Sequence, residues 1–121
     1  MSNRLDISCV IPLLDEAESL PELHAWIKRV MDANQFTYEI WFIDDGSKDK
    51  TLDSLKSIKN KKINILKNKI NLGKSASIRK AIKKVRTKYV ILIDCDLPYF
   101  NFLKKVINEV KKNDFVTVNR K

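Results

Sequence analysis

Five short apolar runs, each separated from the next by a stretch with helical spacing, constrain this chain more than any other feature. Ile7–Ile11, Tyr38–Ile43, Ile63–Leu66, Tyr89–Ile93 and Phe115–Val118 are rich in β-branched and aromatic residues and read as strands. Tyr89–Ile93 is the most continuous of them, which predicts a strand buried on both faces. Between the runs, apolar residues recur three and four apart. Leu20, Leu23, Ile27, Val30 and Met31 predict a helix over 20–33, and Leu52, Leu55 and Ile58 a second. Ile78, Ile82 and Val85 mark a third, and Leu103, Val106, Ile107 and Val110 a fourth. Ser19-Leu20-Pro21-Glu22 offers a capping box at the first helix, with Pro21 tolerated in its opening turn. Strands alternating with helices predict an α/β fold of three α/β/α layers around a mostly parallel, Rossmann-like sheet. A chain of 121 residues holds one such domain, taken here as 1–121.

Composition narrows the function classes. With 44% hydrophobic residues, two Gly and three Pro, the chain is neither disordered nor of low complexity. Two cysteines are too few for a disulfide framework, and Cys9 and Cys95 are expected as buried, reduced thiols. The single histidine, His24, falls on a helix and suits a surface or half-buried role rather than a metal site. Met1–Asp6 is polar, Pro12 breaks the apolar run that follows, and no stretch reaches the roughly 20 apolar residues of a membrane span. A cytoplasmic location is therefore expected, with peripheral contact at the membrane face left open.

Charge is unevenly placed: residues 1–50 hold 5 basic and 10 acidic groups, and residues 51–121 hold 19 and 5. Lys80, Lys83, Lys84, Lys104, Lys105, Lys111 and Lys112 occupy the polar sides of two amphipathic helices, as a solvated face does. No nucleic-acid-binding motif accompanies them, which disfavours nucleic acid as a partner, whereas weak attraction to an anionic membrane surface remains open.

Right-handed crossovers bring the carboxyl ends of parallel strands to one edge, where ligands of such sheets bind. The acidic residues of interest follow strands: Asp15 and Glu16, then Asp44 and Asp45, then Asp94 and Asp96. Asp94-Cys95-Asp96 offers two carboxylates to an oxygen-seeking cation, Mg²⁺ or Mn²⁺, or else caps the next helix. Asp44-Asp45-Gly46-Ser47 reads either as a turn with a cap or as a ligand loop in which Asp44 accepts hydrogen bonds from a base or sugar. Gly73-Lys74-Ser75 resembles the end of a phosphate-binding P-loop, but position 68 is Asn, so the full pattern fails. Lys74 at a helix start still suits a phosphate.

Together these motifs resemble the inverting family 2 glycosyltransferases of the GT-A fold, especially the branch that moves sugars onto polyprenyl phosphates. Four segments carry the likeness: Val10–Leu20, Ile43–Thr51, Asn71–Arg79 and Tyr89–Leu97. The resemblance implies that a nucleotide-sugar donor contacts Pro12, Leu14, Glu16, Asp44, Asp45, Lys74 and Asp94. Asp44 would meet the base and Lys74 the diphosphate, while Asp94 and Asp96 would hold Mg²⁺ or Mn²⁺. Leu14 stands where many members carry Tyr, Asp15 where Asn is usual, Ser75 where Gly is frequent, and Pro98 where the polyprenyl branch often has Gln. The resemblance implies that the acceptor pocket and, in many members, the catalytic base lie in a later part, so no catalytic base is assigned. The chain is expected to be the donor-binding portion, either excised from a longer protein, or the product of a truncated gene, or completed by a partner chain, and weakly active or inactive alone. An inactive nucleotide-binding fragment and a basic module for anionic surfaces are the alternatives.

Overall fold

The computed structural model describes residues 6–94 and 115–117. The helix expected around Leu103–Val110 and the residues Cys95 and Asp96 lie outside them. In chain order the elements are β1 (Ile7–Leu13), α1 (Leu20–Ala33), β2 (Tyr38–Asp45), α2 (Thr51–Ile58), β3 (Ile63–Asn68), α3 (Lys74–Ile82), β4 (Tyr89–Leu92) and β5 (Phe115–Thr117).

The five strands form one sheet in the order β3-β2-β1-β4-β5, and every neighbouring pair is parallel. The chain steps outward from β1 to β2 to β3, then returns through α3 to the other side of β1. The strand order therefore reverses between β1 and β4, so the switch point at which open α/β sheets of this kind form a ligand crevice lies at their carboxyl ends. This is the α/β, Rossmann-like architecture that the alternation of segments predicts.

Alternation along the strands sorts the core into two faces. Cys9, Ile11 and Leu13, Tyr38, Ile40 and Phe42, and Ile91 and Ile93 pack with α1 and α2. Helix α1 contributes Leu20, Leu23, Trp26, Ile27, Val30 and Met31, the predicted stripe plus a tryptophan. The opposite face carries Val10, Ile43 and Ala81, with Trp41, Leu66, Ile78, Val90 and Leu92 partly buried beside them under α3. Helices thus cover both sides of the sheet. No helix among the described residues is long and apolar enough to cross a membrane.

Four details differ from the sequence reading. Strand β2 does not stop at Ile43: Asp44 and Asp45 stay extended because β1 and β3 both reach them, pairing Leu13 with Asp44 and Asn68 with Asp45. Strand β4 is not buried throughout. Ile91 is enclosed, but Tyr89, Val90 and Leu92 are half-buried; for Val90 and Leu92, on the α3 face, the reason is that α3 lies over β1 and β2. The Ser19 capping box is not formed: Ser19 already has helical angles, φ −82° and ψ −20°, which aim its hydroxyl away from the free amides. Helix α3 ends at Ile82 rather than Val85, and Lys84 and Val85 close tighter bonds to the carbonyls three residues back.

Candidate functional site

Three loops leave the carboxyl edge on strands β1, β2 and β3, and hydrogen bonds from side chains to backbone lock each to the next. Asp15, two residues beyond β1, has a left-handed backbone with φ 54°, a conformation that Asp and Asn tolerate better than most residues. Its Oδ1 accepts the backbone N–H of Lys48 at 2.8 Å and of Asp49 at 3.2 Å. In return its own N–H donates to Ser47 Oγ at 2.9 Å. Glu16 N–H donates to Thr51 Oγ1 at 2.9 Å, and Ala17 N–H to Asp49 Oδ2 at 3.4 Å. Asp49 Oδ1 accepts from both the backbone N–H and the hydroxyl of Thr51. The Thr51 hydroxyl is the first cause of an Asp49 pKa below the ordinary carboxylate value.

Asp44 and Asp45 are adjacent in an extended strand, so their side chains take opposite faces. Asp44, 1% exposed, accepts the Ser47 N–H at 3.0 Å and closes its own loop. Asp45, 4% exposed, reaches the next loop instead. It accepts Asn68 Nδ2 at 2.9 Å, Leu72 N–H at 2.8 Å and Gly73 N–H at 3.0 Å. Asn68 Nδ2 also donates to the buried Ser77 Oγ at 3.0 Å, which ties the latch to α3. Burial pushes the Asp45 carboxyl up, but the bonds from Asn68, Leu72, Gly73 and Ser77 outweigh it and hold its pKa below the ordinary value. Gly46, at φ 76°, lets the backbone of Ile70 and Asn71 lie against it: a Cβ there would stand 2.6 Å from the Ile70 carbonyl carbon.

The crevice side is different in character. Leu14 is 43% exposed just past β1. Lys74 opens α3, with its side chain 59% exposed, and its Nζ lies 3.0 Å from Oδ2 of Asp94, whose side chain is 21% exposed just past β4. The Ile93 N–H still bonds to Val10 O at 3.0 Å, which keeps Asp94 beside the carboxyl half of β1. Of the residues expected to meet a donor, the structure brings Leu14, Lys74 and Asp94 to the open edge and leaves Glu16 half-buried. Pro12, Asp44 and Asp45 are enclosed. Asp96 lies outside the described residues. Among the described residues no three His, Cys, Asp or Glu side chains converge on a cation position.

Sequence reasoning placed Asp15 at this edge without giving it a task, and passed over Asn68 and Ser77 as working parts of it. Asp15 carried a usable signal, an Asx residue in the loop just past a strand, where positive φ is tolerated. Asn68 and Ser77 carried none, because their role depends on the pairing of β3 with β2.

The sequence profile of glycosyl transferase family 2 matches residues 8–121. The chain belongs to this family. Among curated glycosyltransferases, it is 37% identical over 95 residues to an uncharacterized glycosyltransferase of Synechocystis sp., covering 77% of this chain and 30% of that one. It is 33% identical over 121 residues to dolichyl-phosphate beta-glucosyltransferase of Dictyostelium discoideum, covering 89% of this chain and 37% of that one. Among solved structures, a mannosyltransferase from Pyrobaculum calidifontis in complex with GDP-Man and Mn²⁺ superposes with a TM-score of 0.69 at 17% identity, over 88% of this chain and 32% of that one. The chain thus spans about a third of the length of these glycosyltransferases. The structural likeness places the fold in the GT-A class, consistent with the family 2 assignment.

Proposed function

We propose that this family 2 chain binds a nucleotide-diphosphate sugar at the β1/β4 crevice, as the donor-binding part of a glycosyltransferase. The observation that carries the reading is the Lys74–Asp94 pair at the carboxyl end of β4, in a sheet where exposed Leu14 follows the neighbouring β1 and Asp15 and Asp45 lock the loops after β1, β2 and β3. Leu14 supplies apolar surface for the base. Lys74 supplies a cation for the phosphates at the positive end of α3. Asp15, Asp44 and Asp45 spend their carboxylates on backbone amides and fix the loops before any ligand arrives, so less ordering remains to be done on binding.

A divalent cation fits the chemistry of the edge. Asp94 is a hard oxygen ligand, partly exposed at a strand end, and Mg²⁺ or Mn²⁺ takes one or two carboxylates and completes its shell with phosphate oxygens and water. Asp94 would hold it, with Asp96 as the second ligand. When bound, such an ion supplies charge neutralisation for the departing diphosphate. The Mn²⁺ in the Pyrobaculum mannosyltransferase supports this reading. The acceptor in the complete protein is a polyprenyl phosphate or a cell-envelope glycan, in line with the dolichyl-phosphate specificity named for the Dictyostelium relative. The proposal places the protein in the cytoplasm, at the membrane face where such an acceptor lies.

The test is thermal unfolding with UDP or GDP, with and without Mn²⁺. A ligand held only by the native state raises the melting temperature by mass action. A nucleotide-dependent rise that needs Mn²⁺ supports the reading, and no shift with either nucleotide removes it. A second reading rests on Arg79, Lys80, Lys83 and Lys84, which with Ala76 line a shallow basic depression along α3 and its C-terminal end. It predicts salt-sensitive retention on anionic vesicles.

A further inference from the structure

The Lys74–Asp94 pair sits where the proposed metal and diphosphate would both act, and its charges do not simply add to that site. Lys74 is the first residue of α3, and no acidic residue accompanies it in the first turn. A cation is disfavoured there, because a helix begins at the positive end of its dipole. Its backbone is held: the preceding Gly73, at φ 99°, donates its N–H to the Asp45 carboxylate at 3.0 Å. Its side chain has four rotatable bonds and stays largely exposed. The ammonium therefore needs an anion and has the reach to change which one it uses. In the structure that anion is Asp94 Oδ2, at 3.0 Å.

We propose that Lys74 and a divalent cation compete for the Asp94 carboxylate, and that a diphosphate relieves the competition by drawing Lys74 to itself. This rests on the donor-site reading above. A dication ligated to Asp94 and an ammonium bonded to the same carboxylate repel one another within a few ångströms. A diphosphate brings enough negative charge to partner both. Metal and nucleotide then bind cooperatively, each raising the affinity of the other by the same factor. Lys74 thereby suppresses capture of the metal alone and favours capture of the metal with the donor.

The experiment follows Mn²⁺ binding by the paramagnetic resonance signal of the free ion, on the 121-residue chain, alone and with saturating UDP or GDP. The proteins are the wild type, Lys74→Met, Lys74→Arg and Asp94→Asn. Lys74→Met is expected to tighten Mn²⁺ binding without nucleotide by about three- to tenfold and to shrink the factor by which nucleotide improves it. Lys74→Arg keeps the charge and is expected to behave like the wild type without nucleotide. Asp94→Asn is expected to weaken Mn²⁺ binding in every condition. If Lys74→Met leaves Mn²⁺ affinity unchanged or weaker while Asp94→Asn still lowers it, the competition is overturned and the donor-site reading stands. If Asp94→Asn binds Mn²⁺ as the wild type does, the competition is overturned and Asp94 is not the metal ligand, while the donor-site reading falls only if neither nucleotide raises the melting temperature. Melting temperatures of the free variants confirm that each is folded.

Discussion

Gly46 and Asp45 show how single residues set the geometry of the edge. A side chain at position 46 meets backbone at 2.6 Å and has to adopt φ 76° as well. Gly46→Ala is therefore expected to lower stability by about 1–3 kcal/mol, read as a lower urea midpoint with an unchanged slope. Asp45 is nearly enclosed, and its carboxylate is held by an amide side chain and two backbone N–H groups. Replacing it with Asn turns one acceptor oxygen into a donor that faces other donors, at a cost of about 1–3 kcal/mol. The pH dependence has a definite sign. The folded pKa of Asp45 lies below its ordinary value, so its contribution is full above the ordinary value and is lost as pH falls through the lower, folded one. The difference in urea midpoint between wild type and Asp45→Asn is expected to be constant near neutrality and to shrink on acidification across that window. A difference independent of pH would show that the carboxylate charge plays no part.

At the scale of elements, the loops between strand and helix are more tightly specified than the helix starts. Asp15 bridges two loops through three hydrogen bonds, whereas the Ser19 hydroxyl makes no capping bond. Asp15→Ala is expected to destabilise by about 1–3 kcal/mol, and Ser19→Ala by less than about 0.5 kcal/mol, in the same denaturation series. Comparable losses for both would mean that the capping box forms in solution. These contrasts also mark what was legible in the sequence. The strands and helices were, because apolar spacing reports burial directly: Leu20, Leu23, Ile27, Val30 and Met31 all enter the core. The end of β2 was not, because Asp44 and Asp45 are poor strand formers kept extended by the partners on either side. The burial of β4 was overstated for a related reason: its apolar run says nothing about which strands α3 covers. Among site residues, the pattern of a strand leading to a carboxylate located Asp94 at the edge. It could not tell a carboxylate that faces the crevice from one, like Asp45, that turns back to hold a neighbouring loop.

For the whole molecule, strand order decides where function sits. Alternating strands and helices imply a parallel sheet, but only the observed order β3-β2-β1-β4-β5 puts the reversal between β1 and β4 and so joins Leu14 to Asp94 across one crevice. The uneven charge acquires a structural meaning. Asp15, Asp44, Asp45 and Asp49 of the acidic half serve mainly as acceptors for loop amides. Arg79 of α3 and Lys83 and Lys84 just beyond its end are exposed on the basic half, while Lys74 pairs with Asp94 at the carboxyl edge. The central claim, donor binding at the crevice, is tested most directly by amide NMR spectra of the 121-residue chain titrated with UDP or GDP in Mg²⁺. The expected result is perturbation of residues 14–17, 44–48, 71–75 and 94, with Arg79, Lys83 and Lys84 unmoved. No perturbation with either nucleotide, or perturbation centred on the basic face of α3, would contradict it.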